Sequence, residues 1–263
     1  MYKGDTLYKC SEERIKETLS GLKKHKDSRK YIISRLEALG GKSETDDLGN
    51  VYVTLPGSSP DSKKPDSKKI VLSCPDSSDS AGVCSAVEII GTLTAEEIQL
   101  THALTVLLWN DEPSEDEWEL VPAMGTLCLE YLPEEIRSDY KDIKPKKSAK
   151  GSKQNRLNTR DFRFMFEMHT AAVPDGIAVA DIVTASVGRP KFRFNEKLTK
   201  LTEDSAALCG INTEKLHYSP DRDTWIAANM LPTAVILVSS DDTRKYADAA
   251  TVLLNAVLQA DKS

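Results

Sequence analysis

Ile70-Val71-Leu72-Ser73-Cys74-Pro75-Asp76-Ser77-Ser78-Asp79-Ser80-Ala81-Gly82-Val83 passes from an apolar, β-branched run into a polar turn and then into a helix start. Residues 70–74 read as a buried strand. From residue 81 to 93 the apolar Val83, Val87 and Ile90 recur at helical spacing. Strand, turn and helix in this order make the repeating unit of an α/β sheet. Residues 104–109, Leu104-Thr105-Val106-Leu107-Leu108-Trp109, and residues 233–238, Thr233-Ala234-Val235-Ile236-Leu237-Val238, are two more such runs. Continuous apolar strands imply a sheet covered on both faces.

Working outward, residues 12–39 are helical in pattern, with a break near Lys26 and a stop at Gly40-Gly41. Residues 50–55 and 162–168 read as strands, and residues 182–194 as one or two more. Helices are expected at 124–132, at 196–209 closed by Gly210, and at 241–260, where Ala247, Ala250, Leu254 and Val257 share a face. Two loops interrupt the pattern. Residues 56–68 are rich in Pro, Ser, Asp and Lys, and residues 141–160 are rich in Lys and Arg with few apolar side chains. No internal repeat is found. The expectation is one α/β domain over residues 1–263, with a mixed, mostly parallel central sheet, helices on both faces and flexible loops at about 56–68 and 141–160.

Composition narrows the class. The chain has 263 residues, 40% of them hydrophobic and 29% charged, and a formal net charge of -6. That balance disfavours a general nucleic-acid or membrane binder. No apolar run approaches the roughly 20 residues needed to span a bilayer, and residues 1–9 lack an apolar signal core. Five scattered cysteines, at 10, 74, 84, 128 and 209, suggest reduced thiols and a cytoplasmic protein.

Ligands of open α/β sheets gather where strands end. Here strand ends run into Cys74, Asp76 and Asp79, into Asp111 and Glu112, and into His169. Thiol, carboxylate and imidazole are zinc-ligand types and the groups of acid–base chemistry. Each also has a plain structural reading. Cys74 suits a small core residue. Asp76 and Asp79 suit turn formation and helix capping. Glu112 begins an acidic run typical of solvated surface, and a lone histidine after a strand is often structural.

The order of these segments resembles the carbamoylase and allantoate amidohydrolase branch of the M20 metallopeptidase-like hydrolases. Asp47-Leu48-Gly49-Asn50-Val51-Tyr52 is similar to that family's segment before its first core strand. Val71-Leu72-Ser73-Cys74-Pro75-Asp76-Ser77 is similar to its G-S-H-L-D-S, and Asp79-Ser80-Ala81-Gly82-Val83 to its D-G-A-x-G-V. Asn110-Asp111-Glu112 resembles the start of D-E-E, and Phe166-Glu167-Met168-His169 resembles F-E-L-H. Gly125 to Leu129 stands where the family has G-S-x-A-L. Pro220-Asp221-Arg222-Asp223-Thr224 stands where it has A-G-H-D-A, and Pro232-Thr233-Ala234-Val235-Ile236 resembles its P-T-x-M-I strand. The match covers most of the chain in one order.

The resemblance implies a zinc-exopeptidase-like core and a set of site residues. Glu112 stands at the family's general base, with Asp111 and Asp76 beside it as catalytic candidates. Cys74, Asp79 and His169 stand where one zinc ion is held. Glu167, Arg222 and Asp223 are expected to bind substrate. The departures are equally specific. Pro113 replaces the second Glu of D-E-E, and residues 242–245 contain no histidine where the family has a ligand. The stretch 173–193 is too short for the family's lid domain. The expected cofactor is therefore none or one zinc ion.

Three functional readings follow. One is a repurposed enzyme acting on an amide or acyl bond of a small amino-acid-like substrate. A second is a binding or regulatory module on a hydrolase scaffold. A third is a mononuclear zinc amidohydrolase. Within the first, Lys141, Lys144, Lys146, Lys147, Lys150, Lys153 and Arg156 could hold tRNA phosphates through salt-sensitive contacts. Amides would then form from aminoacyl esters. The plain reading of that loop is a solvated insertion. An unneutralised set of Asp76, Asp111, Glu112 and Glu167 would favour a cationic substrate.

Overall fold

The computed structural model describes residues 6–45, 50–59, 68–74, 80–109, 162–174, 176–181, 183–184, 192–218, 231–239 and 242–262. Their centre is an eight-stranded mixed sheet. Its strands are β1 (Lys42–Thr45), β2 (Val51–Leu55), β3 (Lys69–Cys74), β4 (Leu104–Leu108), β5 (Phe162–Thr170), β6 (Ile177–Ala180), β9 (Glu214–Leu216) and β10 (Thr233–Val238). They lie in the order β1-β2-β4-β3-β5-β10-β6-β9. The middle four, β4-β3-β5-β10, are parallel throughout. β2 and β6 flank them antiparallel. The short β7 (Val183–Thr184) and β8 (Phe192–Arg193) pair with each other in the stretch expected to be too brief for a lid.

Five helices are described: α1 (Glu12–Lys24), α2 (Ser28–Ala38), α3 (Ser80–Ala95), α4 (Glu196–Leu208) and α5 (Thr243–Ala260). Local chemistry sets their ends. Ser11 caps α1, Asp27 caps α2, Asn195 caps α4 and Asp242 caps α5, each side chain accepting from backbone N–H groups of the first turn. Gly40, at φ 94°, and Gly210, at φ 68°, follow α2 and α4 in the left-handed conformation that ends a helix. The break expected near Lys26 is real, because Asp27 starts a new helix there.

The sheet separates two apolar clusters. One face carries Ile70, Leu72, Cys74, Val106, Leu108, Phe166, Met168, Ile236 and Val238, packed against all five helices. The other carries Val71, Leu107, Trp109, Met165, Val235 and Leu237, met by Val173, Phe194 and Leu231. α3 and α5 are buried along most of their length, so α3 shows a nearly continuous apolar surface rather than one stripe. The helix expected at 124–132 and the loop at 141–160 lie outside the described residues. So does most of the loop at 56–68. Sequence patterning missed β1, β6 and β9. β1 has no apolar side chain, and β6 and β9 are only three or four residues long.

Candidate active site at the strand ends

β4, β3 and β5 end side by side. Ser73 of β3 is in register with Leu107 of β4 and with Glu167 of β5. Register partners in parallel strands project to one face, and residues two apart along a strand share it. Ser73, Glu167, His169 and Trp109 therefore fall on the same face by backbone geometry alone.

Their side chains form one hydrogen-bonded chain. Trp109 Nε1 donates to Ser73 Oγ at 2.8 Å. Ser73 Oγ donates to Glu167 Oε1 at 2.6 Å. Glu167 Oε2 faces His169 Nε2 at 3.1 Å. The indole can only donate, so the serine hydroxyl is left to direct its own hydrogen at the carboxylate. All four residues are buried, Glu167 to 1% exposure and His169 to 6%. The ring of Tyr218 lies 5.5 Å from that of His169, tilted by 37°. A buried carboxylate is costly unless its oxygens are satisfied, and here each oxygen has a partner. Where the carboxylate accepts from the imidazole, Nε2 carries the ring proton and Nδ1 is the basic nitrogen. The arrangement can orient an imidazole for proton transfer and stabilise its charged form.

Glu167 and His169, both marked in the sequence, are thus brought together. Cys74 is not with them. It lies one residue beyond Ser73, on the opposite face, buried to 2% in the cluster beneath the helices. The small-core reading describes its packing. Asp76, Asp79, Asp111, Glu112, Arg222 and Asp223 lie outside the described residues, as does the segment from Lys141 to Arg156. Among the described residues no three His, Cys, Asp or Glu side chains gather as metal ligands. Of the expected zinc set, the two described members, Cys74 and His169, project from opposite faces of the sheet.

Sequence reasoning missed Ser73 and Trp109. Their signal was there: a hydroxyl inside an apolar strand, and an indole closing another. Each buries a polar group that must find a partner.

No family model matches the sequence, and no curated protein does. The fold, however, is shared with solved structures. A hydantoinase/carbamoylase-family amidase from Burkholderia multivorans superposes with a TM-score of 0.69 at 12% identity, covering 97% of this chain and 99% of that one. AtUAH in complex with (S)-hydroxyglycine gives 0.68 at 10% identity, covering 99% of this chain and 100% of that one. LapA of Legionella gives 0.61 at 9% identity, covering 97% of this chain and 74% of that one. The chain shares the α/β fold of these proteins.

Proposed function

We propose that this protein is a repurposed amidohydrolase-fold enzyme that acts on an amide or acyl bond of a small amino-acid-like molecule. The observation that carries this reading is the buried chain from Trp109 through Ser73 and Glu167 to His169. It lies at the carboxyl ends of parallel strands, where ligands of such sheets bind. In this reading Glu167 fixes the tautomer and orientation of His169. Ser73 and Trp109 position Glu167. The imidazole then gives a proton to the departing nitrogen or oxygen. Glu112, three residues after Trp109 in the sequence, takes the proton of the attacking water or amine, the role its place in the resemblance implies.

The test is a panel of N-carbamoyl, N-acyl and ureido amino acids, assayed for ammonia or amine release by the wild-type protein and by Glu112→Gln. Turnover that falls about 100-fold or more in the variant supports the reading, since a positioned acid or base contributes about that much. Turnover indifferent to Glu112→Gln refutes it. No turnover on any member turns the assignment to a binding module on a hydrolase scaffold.

A further inference from the structure

Glu167 meets the His169 imidazole at one atom, Nε2, at 3.1 Å. The second side-chain torsion of histidine has broad, shallow preferences. One hydrogen bond at the ring edge therefore restrains where that edge points but leaves the plane of the ring loosely set. A group packed against the ring is needed to fix its plane, and the fold supplies one from a distant strand.

That group is Tyr218. It follows β9, where Leu216 is in register with Ala180 of β6. Asp181 N donates to Leu216 O at 2.9 Å and holds the end of the strand in place. Leu216 and Tyr218 are partly buried and His217 between them is exposed, the alternation expected of extended chain. Both partly buried residues pack against the apolar cluster on the face that also carries Ser73, Glu167 and His169.

In the sheet, β10 and β6 lie between β9 and β5. The chain after Leu216 must therefore fold back over this face to bring the Tyr218 ring to His169. β6 presents Ala178 and Ala180 to the same cluster, and these short side chains leave space for the crossing. The two ring centroids end 5.5 Å apart with a tilt of 37°, inside the span of about 4.5–7 Å over which aromatic rings attract. The imidazole is thus met at its edge by a carboxylate and flanked by a phenol ring.

We propose that Tyr218 is a positioning residue, whose ring fixes the plane in which the His169 imidazole meets Glu167. The ring does this and the hydroxyl does not, so phenylalanine should replace it. The effect on turnover rests on the amide reading; the effect on the imidazole does not.

The experiment is proton magnetic resonance of the full chain. In the wild-type protein the ring protons of His169 and Tyr218 should cross-relax, and the Nε2–H held by Glu167 should give a downfield resonance protected from water and absent in His169→Gln. Tyr218→Leu, folded by circular dichroism, should lose that resonance to exchange, and Tyr218→Phe should keep it. On any substrate of the panel that is turned over, kcat should fall about fivefold in Tyr218→Leu with KM unchanged, and should recover in Tyr218→Phe. An Nε2–H resonance unmoved in folded Tyr218→Leu overturns the proposal. So does the absence of cross-relaxation between the two rings in the wild-type protein, a result that needs no variant. A panel without turnover removes the amide reading and leaves both resonance tests to decide the role of Tyr218.

Discussion

Glu88 is a second buried carboxylate, and its role differs from that of Glu167. It is 1% exposed on α3. Arg14 grips it with two bonds, Nε to Oε2 at 2.8 Å and Nη2 to Oε1 at 2.6 Å. Ser11 N and Thr92 Oγ1 also donate to it. With the charge neutralised and the oxygens satisfied, this cluster fastens α1 to α3 and leaves no group for chemistry. Arg14→Ala would strand the carboxylate, and we expect a loss of about 3 kcal/mol in denaturant unfolding. The neighbouring Cys10 thiol is pushed far above the ordinary thiol range, first by burial and then by the Glu88 carboxylate. Its stability contribution is complete below the unfolded thiol pKa of about 8.5 and is lost as pH rises beyond it. Two outcomes follow. Cys10 should resist iodoacetamide at pH 8.5 in the folded protein and react in urea, because the thiolate is the nucleophile. Cys10→Ala should also lessen the alkaline loss of stability. At this scale the sequence was half legible. His169 stood out because it follows a strand, and Glu167 because Phe166-Glu167-Met168-His169 resembles F-E-L-H. Their link to Ser73 and Trp109 depended on register between strands distant in sequence, which no local pattern carries.

At the scale of elements, the contact of α3 with β5 decides whether the candidate site keeps its shape. A Cβ added at Gly82 would meet the backbone oxygen of Met168 at 2.8 Å. Ser85 Oγ, one turn on, lies 3.0 Å from Met168 Sδ. Met168 stands between Glu167 and His169 in the strand, so α3 presses on the backbone that carries both. Gly82→Ala should push the helix away and cost about 1–3 kcal/mol, read as a lower melting temperature. Any activity should fall with it, more than Ala substitution at the exposed Glu97 would cause. Long elements were read well from sequence because burial wrote their periodicity: β3, β4, β10, α3 and α5 were expected within a few residues of where they lie. Short edge strands were not, because β1 reads Lys42-Ser43-Glu44-Thr45 and owes its existence to pairing with β2.

Across the whole molecule, the two ends of the described chain are clasped together. Residues 8–10 bond to Thr251 and Asn255 of α5. At the far end of α5, Asp261 accepts from Thr101 N at 2.7 Å and His102 N at 2.8 Å, and meets His102 Nδ1 at 2.9 Å. Arg163 Nη1 lies 2.6 Å from His102 Nε2. Since the guanidinium can only donate, Nε2 accepts and Nδ1 bears the proton directed at Asp261. Asp261→Ala would take the carboxylate away from the partly buried N–H groups of Thr101 and His102. The expected cost is about 2 kcal/mol, or roughly 4–8 °C in melting temperature for a chain of this size. Fold class was legible at this scale because alternating strand and helix patterns allow few architectures. Chemistry was legible only as an ordered series of weak motifs, and the described residues assemble one part of it.

The most direct test of the account is the rate of amide-bond cleavage by His169→Gln and Glu167→Gln, measured on the substrate panel beside the wild-type protein, with folding checked by circular dichroism. The account predicts wild-type turnover, a fall of about 100-fold or more in His169→Gln, and a smaller fall in Glu167→Gln, with a shifted pH–rate profile. Folded variants that keep the wild-type rate, or a wild-type protein that cleaves nothing, would contradict it.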